Sequence, residues 1–278
     1  MLKDDIARLY KMIGKSAHDY FDFQAEGEYH NRIDSLIKRR AASRIGKSMT
    51  QPTQRKSKIV AVISRGHLPG RKLVSSLAFL AASKLKEDTS VHVVDLIPVA
   101  SQSEEKSVLL SNGIRHVLID TSAQVVRMEM AKEMDWLGRQ ILADHDDGLI
   151  LLDVPEQVMH MRHNSMAIAD FILVLLPGTV GAIRAIEETE AELEEFFAAR
   201  PSANVCYLIV ESSSSENMSA LIKGELISHH DLIVPVVVNK EQMPNVLELS
   251  SAVNPNPVGS CDLEKIIDYI FERVGYAH

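Results

Sequence analysis

The chain has 278 residues, of which 46% are hydrophobic and 24% are charged, so it can bury a sizeable core. Its formal net charge of −8 argues against a general affinity for nucleic acid. The two cysteines are too few for a disulfide framework, and no apolar run approaches the roughly 20 residues that cross a bilayer. Since the N-terminus MLKDDIARLY also lacks the pattern of a signal peptide, we expect a cytoplasmic protein.

Residues 1–37 alternate short amphipathic helical patterns with polar breaks. Residues 38–58 then contain eight Lys or Arg residues and no acidic residue. Such a segment is typical of a solvated linker, with contact to an anionic membrane or to a partner as the alternative. We therefore place a domain boundary here, between a helical extension over residues 1–37 and a domain over residues 59–278.

From residue 59 onward, short apolar runs alternate with helical patterns. The runs are apolar on both faces, as expected for parallel strands that helices cover. This alternation predicts an α/β fold with a doubly wound, mostly parallel sheet flanked by helices, in which ligands bind at the carboxyl ends of the strands. The predicted strands are residues 59–64, 91–96, 116–119, 149–153, 171–176, 205–210 and 233–238, and the predicted helices are residues 72–86, 125–142, 180–197, 218–226 and 263–274.

The first predicted strand leads into a loop, RGHLPGRK at residues 65–72, and then into a helical pattern. A strand, a glycine-containing loop and a helix form the context of a phosphate-binding loop, in which backbone N–H groups surround the phosphates. Here the chain resembles the ParA/MinD superfamily of deviant P-loop ATPases, whose loop reads KGGxGKTT. The resemblance aligns Arg65 with the signature lysine, Gly66 with the first glycine, Gly70 with the loop lysine and Arg71 with the Mg²⁺-binding threonine.

A register shifted by one residue instead gives Arg71 the position of the loop lysine and Lys72 that of the threonine. Neither register supplies a hydroxyl group for a metal ion, and Pro69 lacks the N–H group that a phosphate cradle would use. We therefore expect a loop that binds an anion at most, and a poor candidate for phosphoryl transfer. No cofactor is assigned, and binding of ATP with Mg²⁺, the ligands of the family, is expected to be weakened.

The resemblance continues at the other strands of the predicted site. In VHVVDLIP, Asp95 keeps the first carboxylate of the family pattern VLVIDxDPQ, while Ile97 replaces the second. Asp153 in LLDVP falls at the metal-associated aspartate of the Walker B strand, and residues 164–179 match the family's A-D-x-V-L-I segment. The asparagine on the adenine side falls at Val210. The ordered series implies the ParA/MinD-like fold, and the losses imply a degenerate site with no catalytic residue.

Two further segments resemble proteins of bacterial cellulose synthesis. Residues 238–243 (VNKEQM) and 257–259 (PVG) are similar to the late pattern of BcsQ, a ParA/MinD-type accessory subunit of cellulose synthase systems. The N-terminal DIARL and HDYFD are similar to the D-I-x-x-L and D-Y-x-D of the small BcsR-type partner. The resemblance implies a role in assembling or placing the cellulose synthesis and secretion complex at the inner membrane, and we expect the chain to form a homodimer. The partner-binding candidates in the extension are Ile6, Leu9, Tyr20 and Asp22.

Other functions share the same sequence features. A working or nucleotide-binding ATPase that uses Arg71 or Lys72 is one alternative, and a factor that positions another envelope or polar machine is a second. His160 and His163 have H-x-x-H spacing, but no third ligand of suitable spacing lies nearby, so we assign no metal site. We expect a protein that is not an enzyme.

Overall fold

A computed structural model describes all seven predicted strands and three helices of the chain. All structural statements below refer to residues 57–65, 68–85, 89–97, 109–120, 148–155, 165–166, 168–179, 185–186, 188–189, 191, 193, 204–212, 233–251 and 257–276. Several predicted features lie outside these residues. They are the N-terminal extension with Ile6, Leu9, Tyr20 and Asp22, the basic segment up to residue 56, Gly66, and the predicted helices 125–142 and 218–226.

The described residues form one seven-stranded sheet with the order β3-β2-β4-β1-β5-β6-β7. Every pair of neighbouring strands is parallel. This arrangement confirms the predicted doubly wound α/β fold, and it places β1 and β4 in the middle of the sheet. The strands are β1 (Lys58–Ser64), β2 (Val91–Ile97), β3 (Arg115–Asp120), β4 (Leu149–Val154), β5 (Phe171–Pro177), β6 (Asn204–Glu211) and β7 (Ile233–Asn239).

Apolar side chains on both faces of the central strands explain why the sheet forms. All six residues of β4 and six of the seven in β1 and in β5 are buried. Because strands that are apolar on both faces are unfavourable in contact with water, helices must cover both faces of the sheet. The predicted strands are confirmed with ends that differ by at most one residue, and β1 takes in Lys58 from the predicted linker.

Two long helices are described, and a short one precedes the second. Helix α1 (Gly70–Lys84) begins two residues before the predicted start, and α3 (Ser260–Val274) follows the one-turn helix α2 (Val246–Leu249). A bond of 2.6 Å from Lys84 Nζ to Asp268 Oδ1 joins α1 to α3. Helix α3 ends at Gly275, whose φ of 81° lies in the left-handed region that favours glycine.

The A-D motif of the sequence has a structural role at the start of β5. Asp170 Oδ2 accepts a hydrogen bond of 2.9 Å from the backbone N–H of Ile59. The backbone N–H of Asp170 donates in return to the carbonyl oxygen of Ile59 at 2.8 Å. Asp170 therefore fixes β5 beside β1 at the end of the sheet opposite the phosphate loop.

Within the part of the chain that the structure describes, no helix is long and apolar enough to cross a membrane.

Candidate functional site

The strands β1, β2 and β4 end near the start of α1, and Asp95 and Asp153 lie close to the ends of β2 and β4. The parallel pairing of β2 with β4 makes Asp95 the direct register partner of Asp153. Asp95 has no exposed surface, and Asp153 is only 3% exposed. Two carboxyl groups therefore lie side by side and buried, at the carboxyl edge where doubly wound sheets bind ligands.

Asp95 is held by two cationic or hydrogen-bonding side chains from different elements. Arg71 Nε, from the first turn of α1, lies 3.3 Å from Asp95 Oδ2. His116 Nε2, from β3, lies 2.7 Å from the same oxygen. Because the carboxylate is completely buried, these contacts supply the compensation that a buried charge requires.

Asp153 has a different environment from its neighbour. Burial and, to a smaller extent, the negative charge of Asp95 raise the pKa of Asp153 to about 8, although the positive charge of Arg71 acts in the opposite direction. Its Oδ1 atom has no hydrogen-bond partner among the residues that the structure describes. The raised pKa favours the neutral form of Asp153, so the cluster avoids burying two negative charges side by side.

Gly70 is the point at which α1 packs most closely on the strand ends. A Cβ atom added at Gly70 would overlap Ser64 Oγ and would lie 2.9 Å from Asp153 Oδ1. Its backbone N–H donates to the carbonyl oxygen of Leu68 at 2.8 Å, and Pro69 has no N–H group. This part of the loop therefore has no space for a side chain at residue 70 and no amide donor at residues 69 and 70 for a phosphate.

The structure brings four of the predicted site residues together: Gly70, Arg71, Asp95 and Asp153. Arg65 instead forms an ion pair with Glu188, with Arg65 Nη1 at 3.4 Å from Glu188 Oε2. Lys72 is half-buried and has no ion pair with the described residues. Gly66 lies outside the described residues, and of Ile97 only the backbone is described.

Two residues of this cluster were not predicted as site residues. His116 falls at the start of a predicted strand and carries no motif, although the parallel register places it two residues from Asp95 across the sheet. Ser64 ends the first strand, and its buried Oγ has no hydrogen-bond partner within the described part of the chain. Ser64 could have been proposed from its place at the end of β1, because side chains at the carboxyl ends of parallel strands share one edge of the sheet, whereas His116 lies near the start of β3.

These residues do not fit a nucleotide with its metal ion. Residue 70 has no space for the lysine that would reach the phosphates, and the guanidinium group of Arg71 already lies on Asp95 and would repel a divalent cation. Over the described ranges, no group of three or more His, Cys, Asp or Glu residues has an arrangement suited to a metal ion. No step of a phosphoryl transfer can therefore be assigned to the residues described.

The comparisons with known proteins rest on structure alone. No protein-family model matches the chain, and no curated protein matches its sequence. A ParA family ATPase from Chlorobium tepidum TLS is similar in structure, with a TM-score of 0.55 and 13% identity over 78% of this chain and 100% of the other. A putative plasmid partition protein from Borrelia burgdorferi B31, bound to AMPPNP, gives a TM-score of 0.53 and 13% identity over 79% of this chain and 100% of the other.

A third similar structure is the MinD cell division protein of Aquifex aeolicus. It gives a TM-score of 0.50 and 13% identity over 77% of this chain and 97% of the other. Identities this low show the fold alone. The chain has the fold of the ParA/MinD-type P-loop proteins.

Proposed function

We propose that this chain is a non-catalytic ParA/MinD-like scaffold for a bacterial cellulose synthesis and secretion complex. The observation that carries the non-catalytic part is the close packing of Gly70 on Ser64 and Asp153. A phosphate loop that acts on ATP needs a lysine side chain near the β- and γ-phosphates and a hydroxyl group on the metal ion. The packing at Gly70 excludes the lysine at this position, and Arg71 follows in place of a hydroxyl residue.

The cellulose part of the proposal is supported by sequence resemblance. The BcsQ-like pattern at residues 238–243 and 257–259 and the BcsR-like pattern at the N-terminus occur in one chain. We propose that residues 1–37 act in cis as the small subunit that otherwise binds a BcsQ-type protein as a separate chain, through Ile6, Leu9, Tyr20 and Asp22. A linker of about 20 residues would keep this segment at a high effective concentration near its docking groove.

Three further features belong to the same proposal. The scaffold would act as a homodimer, its partners would be subunits of the synthase and secretion complex, and its place would be the cytoplasmic side of the inner membrane. The basic residues 38–58 would supply a peripheral contact with anionic lipids, to which each Lys or Arg near the surface adds about 1 kcal/mol. This contact should therefore weaken as the salt concentration rises.

Two measurements on the full chain test the proposal. Purified protein with ATP and Mg²⁺ is expected to release phosphate no faster than the Asp153→Ala variant, because no residue described is placed to act on the phosphates. A working ATPase would instead show turnover that Asp153→Ala removes, and that result would overturn the non-catalytic assignment. Circular dichroism of both chains controls for loss of folding in the variant.

A deletion strain tests the role in secretion. Loss of the chain is expected to abolish secretion of the cellulose polymer, and both the wild-type chain and a folded Asp153→Ala chain are expected to restore it. Normal secretion in the deletion strain would contradict the cellulose role and would favour a factor that positions another envelope or polar machine.

A further inference from the structure

Arg71 connects the start of α1 to the end of β2. Its Nε lies 3.3 Å from Asp95 Oδ2, and its side chain remains 28% exposed. His116 Nε2 reaches the same oxygen from β3 at 2.7 Å. An arginine and a histidine from two elements therefore meet on one buried carboxylate, and only the arginine comes from the helix.

The neighbouring strand presents a second carboxyl group to the same place. Asp95 and Asp153 are register partners, and neighbouring strands lie about 4.8 Å apart. Two ionised carboxylates at this spacing would repel each other strongly, so the second carboxyl group can ionise only with a cation nearby. Among the described residues Arg71 is the cation that acts on both groups, since it forms an ion pair with Asp95 and its charge also lowers the pKa of Asp153.

We propose that Arg71 is a tethered cation, which takes the place of a bound metal ion at Asp95 and clamps the N-terminus of α1 to β2. The proposal rests on the proposed function, because it explains what holds the start of α1 at the end of β2 without nucleotide. It also goes further. It assigns Arg71 a positioning role, and it implies that a site for a divalent cation at Asp95 and Asp153 opens only when the guanidinium group is removed.

Thermal unfolding of the full chain near pH 8 tests this assignment, with MgCl₂ alone as the probe. The melting temperature of the wild-type chain is expected to change by less than about 1 °C with millimolar Mg²⁺. The Arg71→Ser chain is expected to melt about 5 °C lower, because a buried carboxylate loses its ion pair. Mg²⁺ should then restore roughly half of that loss, since carboxylate and hydroxyl oxygens are its preferred ligands and a ligand of the folded state raises stability.

Matched controls distinguish the loss of the ion pair between Arg71 and Asp95 from the loss of a positive charge in general. Lys72→Ser removes the same charge one residue further along α1, where no described residue forms an ion pair with it, so it should melt within about 1 °C of the wild type. Adding Asp153→Asn to the Arg71→Ser chain removes one of the two carboxyl groups, and the response to Mg²⁺ should disappear. NaCl at matched ionic strength controls for screening.

The proposal is overturned if the Arg71→Ser chain has the same melting temperature as the wild type. It is also overturned if Mg²⁺ leaves the melting temperature of the Arg71→Ser chain unchanged. If this chain does not fold, Arg71→Lys is measured in its place, because it keeps a cation at the same position. The lysine chain must then fold and remain insensitive to Mg²⁺, and failure of either condition contradicts the tethered cation. None of these readouts uses ATP, so they are distinct from the turnover that would refute the proposed function.

Discussion

Replacing Gly70 with alanine should lower the free energy of unfolding by about 2–3 kcal/mol, although the same change inside a helix normally raises it. The added methyl group would overlap Ser64 Oγ and press on Asp153 Oδ1, so the first turn of α1 must shift away from β1 and β4. Urea unfolding curves of the wild-type and variant chains measure this difference, provided that the slope is unchanged.

The Ser64→Ala change supplies the matched partner for a double-mutant cycle with Gly70→Ala. Removing Ser64 Oγ takes away the nearest atom, so the double variant should recover about half of the loss, as a coupling of roughly 1 kcal/mol. A Gly70→Ala chain as stable as the wild type would show that the loop has space for a side chain. The non-catalytic assignment would then lose its main structural support.

Replacing Asp153 with asparagine should stabilise the protein, and the gain should increase with pH. The pKa of Asp153 is raised from 3.8 to about 8 in the folded chain. Since the folded chain holds the proton more tightly than the unfolded chain, the wild type loses stability as pH rises from about 4 to 8, by at most about 1.4 kcal/mol per pH unit. Asparagine is neutral throughout, so the variant's advantage should increase by about 3 kcal/mol between pH 5.5 and pH 8.

Chemical unfolding at several pH values measures the difference between the two chains, which removes the titration of groups that they share. Asp268→Asn is the control, because this carboxylate is on the surface of α3 with Lys84 as its partner. Its effect should remain within about 0.5 kcal/mol at every pH. A difference between Asp153→Asn and wild type that is constant with pH would show that Asp153 is ionised in the folded protein.

The fold could be predicted because its signals are local in the sequence. Apolar runs such as the one in β4 have the length and composition of buried parallel strands, and the helical patterns between them require crossovers. The sequence predicts a start of α1 at Lys72, two residues too late, because the low helix propensity of Gly70 argues against a helical first turn.

The site could be predicted only in part, because its partners are distant in the sequence. Asp95 and Asp153 were identified from family motifs, and strand order alone then makes them neighbours. The contact of His116 with Asp95 depends on which strand lies outside β2, and no local pattern reports this order. The role of Gly70 depends on how closely α1 approaches Ser64, which is a property of packing.

The partner of Arg65 is a further contact that the sequence could not predict. The motif gave Arg65 the position of the signature lysine, which would lie at the phosphates. In the structure its side chain meets Glu188, a residue 123 positions later in the chain. A motif fixes the position of the backbone in the loop, while the partner of a long side chain depends on the charges that the fold brings near it.

A calorimetric titration of the full chain with ATP and Mg²⁺ tests the central claim most directly. There is no space for a side chain at residue 70, and the guanidinium group of Arg71 lies against Asp95. We therefore expect no heat of specific binding at micromolar protein concentration, with or without the metal ion. Saturable binding with micromolar affinity that requires Mg²⁺ would contradict the account, because it would show that the nucleotide site is intact.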